Sequence, residues 1–196
     1  MPNETGPQAL VPGKKVPDFT LDGEAGKVSL ASLRGPAPGR YVVVYFYPKD
    51  KTPGCTREGQ AFSAAIPEFK KAGAVVVGVS KDTVTMHASF ADSCGIKVPL
   101  LSDTDLSVHR AYGAYGEKTM YGKKVTGTIR STFVVAPDGT LARAFRSVKV
   151  DGHADAVLAA VVQHRAGGES GNPPPTARSA SKKKTTPAAP GKKSAR

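Results

Sequence analysis

The dominant pattern in the chain is a pair of uninterrupted apolar runs. Tyr41-Val42-Val43-Val44-Tyr45-Phe46-Tyr47 is β-branched or aromatic at every position, which predicts a central strand buried on both faces. Ala74-Val75-Val76-Val77-Gly78-Val79-Ser80 has the same character and predicts a second such strand. Between them the apolar period changes. After Pro53-Gly54, the segment Thr56 to Lys71 sets Phe62, Ala65, Ile66 and Phe69 at helical spacing and ends on Lys70-Lys71 and Gly73, a basic last turn with a glycine stop. Strand, helix and strand in this order predict a parallel crossover unit.

The alternation continues with a helix from Thr83 to Cys94 that stops at Gly95, a short strand over Val98 to Leu101, and a helix from Asp105 to Tyr112. Then the pattern changes. Ser131 to Ala136 and Leu141 to Arg146 flank Pro137-Asp138-Gly139, which predicts an antiparallel hairpin. A last helix, Gly152 to His164, carries Ala156, Val157, Ala160 and Val161 along one side. These elements predict an α/β fold with a central mixed sheet and helices on both faces. No internal repeat is present.

Composition limits what such a fold does. Met1 to Pro7 has neither the basic start nor the apolar run of a secretory signal. The longest apolar run, Tyr41 to Tyr47, is far short of the roughly 20 residues that cross a bilayer. A soluble, cytoplasmic protein is therefore expected. Two cysteines, Cys55 and Cys94, are too few for a disulfide scaffold and suit catalytic or redox use. With His87, His109, His153 and His164 they make no Cys-x-x-Cys or His-x-x-x-His pattern, so neither a metal nor a cofactor is expected.

The formal charge is +12, and seven of the basic residues lie between Ser170 and Arg196, where there is no acid; without them the chain carries +5. That segment is rich in Pro, Ala, Ser and Thr and lacks Leu, Ile, Val, Phe and Tyr, so burial cannot offset the entropy of ordering it. Three parts are expected: a flexible N-terminus over 1–11, one domain over 12–167 and a disordered basic tail over 168–196. The tail reads either as a solvated terminus or as a weak, nonspecific contact for DNA or another polyanion.

The chemistry concentrates where the first strand gives way to the helix, at Tyr47-Pro48-Lys49-Asp50-Lys51-Thr52-Pro53-Gly54-Cys55-Thr56-Arg57-Glu58. Cys55 falls in the first helical turn, where unpaired backbone N–H groups and the positive end of the helix dipole favour a thiolate. Pro53 suits that turn because its missing N–H leaves nothing unpaired, and Gly54 lets a substrate approach the backbone. The alternative is a packed, inert cysteine. Polar flanks and the end of a strand in an open α/β sheet favour a reactive one.

Pro48-x-x-x-Thr52-x-x-Cys55 resembles the active-site signature of peroxiredoxins. The wording of Tyr47 to Thr56 is similar to the Q-type group, the bacterioferritin comigratory proteins. So are Gly78-Val79-Ser80-Lys81-Asp82, Pro99-Leu100-Leu101-Ser102-Asp103, Met120-Tyr121-Gly122-Lys123, Arg130-Ser131-Thr132-Phe133 and Val148-Lys149-Val150-Asp151-Gly152-His153. The resemblance extends from about Pro12 to His164. It implies a thioredoxin-like fold and a thiol peroxidase that reduces hydrogen peroxide and organic hydroperoxides. Cys55 is then the peroxidatic cysteine, Thr52 the hydroxyl facing thiolate and peroxide, and Arg130 the guanidinium completing a pocket with Pro48 and Gly54. Other roles stay open: a helix cap for Thr52 and a surface arginine for Arg130.

The second thiol departs from the group. Many Q-type members carry it five residues after the first, where this chain has Gln60, and others after the phenylalanine matching Phe90, where it has Ala91. Cys94 lies three residues further, about 4.5 Å along a helix axis and roughly 60° around it. It reads equally as a displaced resolving cysteine or as a packed helix-end residue, in which case thioredoxin or a low-molecular-weight thiol reduces Cys55 directly. The resemblance implies a monomer or weak dimer. Packing or capping is expected of His87 and His153, and Met120-Tyr121 lines either the pocket mouth or the core. Rival functions have less behind them. A Cys-His acyl-transfer enzyme lacks a nucleophile elbow, a disulfide oxidoreductase would need a cysteine where Glu58 stands, and a nucleic-acid-associated protein would rest on the tail alone.

Overall fold

The computed structural model describes residues 10–120 and 123–167. In chain order its elements are β1 (Thr20–Gly23), β2 (Gly26–Ser29), α1 (Leu30–Arg34), β3 (Tyr41–Phe46), α2 (Pro53–Ala64), α3 (Ile66–Lys71), β4 (Ala74–Ser80), α4 (Val84–Cys94), β5 (Leu100–Ser102), α5 (Ser107–Ala111), β6 (Tyr115–Met120), β7 (Lys123–Thr128), β8 (Ser131–Val135), β9 (Leu141–Arg146) and α6 (His153–Arg165). Seven strands form one sheet in the order β2-β1-β5-β4-β3-β8-β9, while β6 and β7 pair with each other. β3, β4 and β5 are parallel; β1, β8 and β9 join antiparallel. The predicted crossover unit and the β8–β9 hairpin are both present.

Because strand side chains alternate between faces, β3 and the residue after it divide between two cores. Tyr41, Val43, Tyr45 and Tyr47 pack with Phe62, Phe69, Phe90, Val157 and Val161 of α2, α3, α4 and α6. Val42, Val44 and Phe46 pack with Leu30, Val108 and Tyr112, the side of α1 and α5. Helices thus cover both faces, as the all-apolar run predicts, and each fully buried large apolar side chain contributes about 1.5–3 kcal/mol. Tyr45 pairs in register with Gly78 of β4. A Cβ at Gly78 would stand 2.7 Å from the Tyr45 ring and 2.9 Å from Leu100, so no larger residue fits there without displacing both.

Several expected boundaries move for local reasons. The single helix from Thr56 to Lys71 is two helices that part at Ala65. Pro67 has no N–H for the Ser63 carbonyl and its ring would clash with it, so the chain restarts with Pro67 in the first turn of α3. The strand expected over Val98 to Leu101 begins later, at Leu100. The helix expected from Asp105 shrinks to α5 because the Asp103 carboxylate captures the backbone N–H groups of Val108 and His109 and Asp105 captures that of Ser107. In α6, Ala156 is exposed and Ala154 takes its place in the core. Residues 1–9, the basic tail over 168–196, Tyr121 and the side chain of Met120 lie outside the described residues. No helix among the described residues is long and apolar enough to cross a membrane.

Candidate functional site

The chain leaves the C-terminal end of β3 and reaches α2 through a loop, Tyr47 to Thr52, that is tied down from below. The Tyr47 hydroxyl donates to Asp50 Oδ1 at 2.8 Å, His87 Nδ1 lies 2.8 Å from Asp50 Oδ2, and the Asp50 N–H donates to Asp82 Oδ2 at 2.8 Å. His87 Nε2 faces the Leu101 carbonyl at 3.2 Å. His87 is therefore a buried strut between α4, β5 and the loop. Lys51 takes a left-handed backbone conformation, φ 59°, and its ammonium donates to Ser89 Oγ at 2.8 Å. Such a conformation costs a non-glycine residue about 1–3 kcal/mol and persists only where the surroundings hold it.

Pro53 opens α2, so Cys55 is its third residue. The thiol is free and only 2% exposed. Its sulfur accepts a hydrogen bond from Arg130 Nη2 at 3.3 Å. One helical turn on, Glu58 is 1% exposed and accepts from Nη1 of the same guanidinium. One arginine therefore bridges two side chains of one helix face. Arg130 arrives there through strand register, since Ser131 pairs with Phe46, the last residue of β3. Its backbone is held by the Val148 N–H, which donates to the Arg130 carbonyl at 3.1 Å.

Gly54 lies beside the guanidinium, where a Cβ would stand 3.4 Å from Arg130 Nη2. Pro48 is half-buried at the start of the loop. Thr52 stands at the helix N-cap position, but its hydroxyl donates to the Lys49 carbonyl at 3.1 Å and makes no cap bond. The structure thus brings Cys55, Arg130 and Gly54 together, while the described bond of Thr52 turns into the loop. His153, the first residue of α6, is buried between the rings of Phe62 and Phe145, with Nε2 2.8 Å from Thr132 Oγ1. Burial first and the Arg130 charge second push its imidazole down to about 4, so it is neutral at neutral pH. Among the described residues, no group of three or more His, Cys, Asp or Glu side chains is placed to hold a metal ion.

Two charged residues at the site are not singled out by the motif. Glu58 stands out in the sequence only as a missing cysteine, although its three-residue spacing from Cys55 puts both on one face. Burial raises its carboxyl to about 7 against the opposing pull of Arg130, and Oε1 has no partner. Burial draws Arg130 down, but Glu58 and Cys55 outweigh it and leave its guanidinium above the ordinary value. Lys118, half-buried on β6, donates to the Thr128 carbonyl at 2.6 Å. Burial and Arg130 lower its ammonium while Cys55 pulls the other way.

The Glu58 shift has a stability consequence of definite sign. Folded Glu58 holds its proton more tightly than in the unfolded chain, so its contribution is full below about pH 4.5 and is lost as pH rises through about 7. The loss is roughly 3 kcal/mol. Glu58→Gln, which cannot ionise, is expected to lose less stability than wild type in denaturant titrations across this window. Parallel pH profiles for the two proteins would contradict the assignment.

Cys94 is the last residue of α4, half-buried and free. Gly95 caps the helix in the left-handed region, φ 66°, where glycine is favoured. The Cys94 carbonyl accepts from Gln60 Nε2 of α2 at 2.9 Å, and its side chain packs on the same core cluster as Cys55.

A sequence model described as the AhpC/TSA family matches residues 12–144. A Xanthomonas campestris protein named Peroxiredoxin Bcp is 54% identical over 126 residues, 64% of this chain and 79% of that one. A Mycobacterium tuberculosis protein named as a putative peroxiredoxin is 51% identical over 145 residues, 74% of this chain and 90% of its own length. A solved structure of the Xanthomonas campestris bacterioferritin comigratory protein, described through its alkyl peroxide reduction activity, superposes with a TM-score of 0.68 at 48% identity, covering 74% of this chain and 91% of that one.

Proposed function

The chain belongs to the AhpC/TSA family, in its Q-type peroxiredoxin group with a thioredoxin-like fold, and from that premise we propose that Cys55 is the thiol that attacks the peroxide. A thiol-dependent peroxidase needs a thiolate, a donor that holds it and orients the peroxide, and a route back to the reduced state. The observation that carries the assignment is the Arg130 guanidinium, which donates to the Cys55 sulfur while Glu58 fixes its other nitrogen.

Catalysis follows from these groups. The Arg130 guanidinium donates to the sulfur that attacks, and the thiolate is the form that reacts. Its sulfur displaces on the nearer peroxide oxygen; the O–O bond breaks, Cys55 becomes a sulfenic acid, and the other oxygen leaves with a proton as water or an alcohol. Arg130 stabilises the charge developing on that leaving oxygen as a fixed donor, with no reorganisation at the moment of reaction. Glu58 is a positioning residue, holding the guanidinium without touching the reacting atoms. Thr52 joins the reaction by turning its hydroxyl from Lys49 toward the thiolate when peroxide enters, and Pro48 and Gly54 shape the entrance. Hydrogen peroxide and organic hydroperoxides are both substrates in this reading.

Cys94 then closes the cycle as a displaced resolving cysteine, supported by the contact of its helix end with α2. Thioredoxin or a low-molecular-weight thiol reduces the resulting disulfide. The cytoplasm, where free cysteines persist, is the compartment, and a monomer or weak dimer the working form. The seven cations of 170–196 add weak, salt-sensitive contact with polyanions.

One equivalent of hydrogen peroxide added to the fully reduced protein tests the core of this reading. Peptide mass spectrometry is expected to find Cys55 as a trapped sulfenic acid or in a disulfide. Oxidation that spares Cys55, or spreads evenly over cysteines and methionines, would sink it.

A further inference from the structure

We infer that Gln60 is a positioning residue for the resolving step, latching the Cys94 turn onto α2 so that its release sets the rate at which the Cys55–Cys94 disulfide forms. The inference rests on the reading of Cys94 as the resolving thiol and deepens it.

Three contacts on one face of α2 hold that turn. The Gln60 amide donates to the Cys94 carbonyl at 2.9 Å. Ser63 Oγ accepts from the Lys97 N–H at 2.8 Å. Between them Gly59 leaves room for Ile96, since a Cβ at Gly59 would lie 2.9 Å from Ile96 Cδ1. Residues 59, 60 and 63 thus form a seam into which the turn from Cys94 to Lys97 is set.

The seam ties the Cys94 carbonyl to the end of the Gln60 side chain, and the Gln60 backbone lies about 7.5 Å further along the α2 axis than that of Cys55. Resolution requires the Cys94 sulfur to attack the Cys55 sulfur. The S–O bond of the sulfenic acid breaks, and hydroxide leaves and takes the Cys94 proton as water. Bonded cysteines need Cα atoms within about 7 Å, with their Cβ vectors facing, so the Cys94 turn must leave the seam.

The surroundings make this turn the part that moves. A cavity of about 360 Å³ separates it and α4 from the β1–β2 hairpin, and another of about 220 Å³ opens toward α3; Lys97 and Pro99 line both. Missing contacts on two sides leave this segment held by the seam, by the Ile96 N–H bond to the Ala91 carbonyl at 3.0 Å and by the buried side chains of Ile96 and Val98. Gln60 is exposed, so replacing it disturbs no core.

The experiment follows the two steps separately in full-length, reduced protein. Rapid mixing with hydrogen peroxide gives the rate at which Cys55 is consumed, and thiol alkylation with mass spectrometry at timed intervals gives the rate of disulfide formation. In Gln60→Ala the first rate is expected to match wild type and the second to rise about threefold to tenfold, the factor set by one net hydrogen bond. Gln60→Glu, which places an acceptor against the carbonyl, is expected to show the same acceleration. Disulfide formation at or below the wild-type rate in both variants would overturn the latch. A wild-type protein that forms no Cys55–Cys94 disulfide would instead overturn the assignment of Cys94, and the latch with it.

Discussion

Serine in place of Cys55 is expected to leave peroxide turnover at least about a thousandfold below wild type. The hydroxyl holds its proton at neutral pH and its oxygen cannot take the place of sulfur as the oxidised centre. The exchange is nearly isosteric and Glu58 keeps its bond to Arg130, so stability should change by no more than about 1 kcal/mol. Peroxide consumption beside a denaturant curve reads both quantities. Activity within tenfold of wild type would remove Cys55 from the reaction.

Arg130→Met should have the next largest effect, with two separable parts. Loss of a fixed donor to the developing charge is expected to lower turnover by about a hundredfold to a thousandfold. Loss of the Glu58 partner leaves a buried carboxyl alone, which costs about 3–5 kcal/mol where that carboxyl is ionised. With Arg130 present, burial holds the Glu58 carboxyl at about 7 against the pull of the guanidinium, so this part should grow as pH rises past neutrality, where the wild type gains from the ion pair and the variant does not, and shrink below it. Adding Glu58→Gln removes the stranded charge, so the double variant should regain stability without regaining turnover. If turnover returned as well, the arginine would serve only to satisfy Glu58.

How legible these features are depends on how much local sequence each needs. β3 and β4 announce themselves because a strand buried on both faces has no polar position, and β8–β9 because its turn sits between two apolar stretches. β1, β2, β6 and β7 carry no such signal: Gly26-Lys27-Val28-Ser29 and Lys123-Lys124-Val125-Thr126-Gly127-Thr128 are short or mostly polar. Their strand character comes from the partner across the ladder. α1 is five residues long and rests on a reciprocal Ser29–Ser32 capping box, not on a periodic face. The α2–α3 break was readable, since Pro67 stands within the helical period.

The site divides in the same way. Cys55 and Gly54 are visible because helix entry after a strand is a local property. Arg130 is visible only through the motif, since nothing within ten residues of it shows that it meets the thiol. Glu58 needs the third dimension twice: its burial depends on the core beneath α2, and its pairing on the arrival of Arg130. The Thr52 hydroxyl illustrates the reverse. Its position is set by the motif, yet its rotamer answers to the Lys49 backbone carbonyl, whose direction comes from the folded loop and not from a residue type.

Arg130 and Cys55 are seventy-five positions apart, and that separation also orders events in time. A nascent chain that has emerged from the ribosome as far as α5 carries the thiol and its helix but neither the guanidinium nor β8, the strand that completes the side of β3. Oxidant met during translation therefore finds the thiol without its guanidinium, and a product stalled there adds two cysteines, Cys55 and Cys94, to the cell without the completed site.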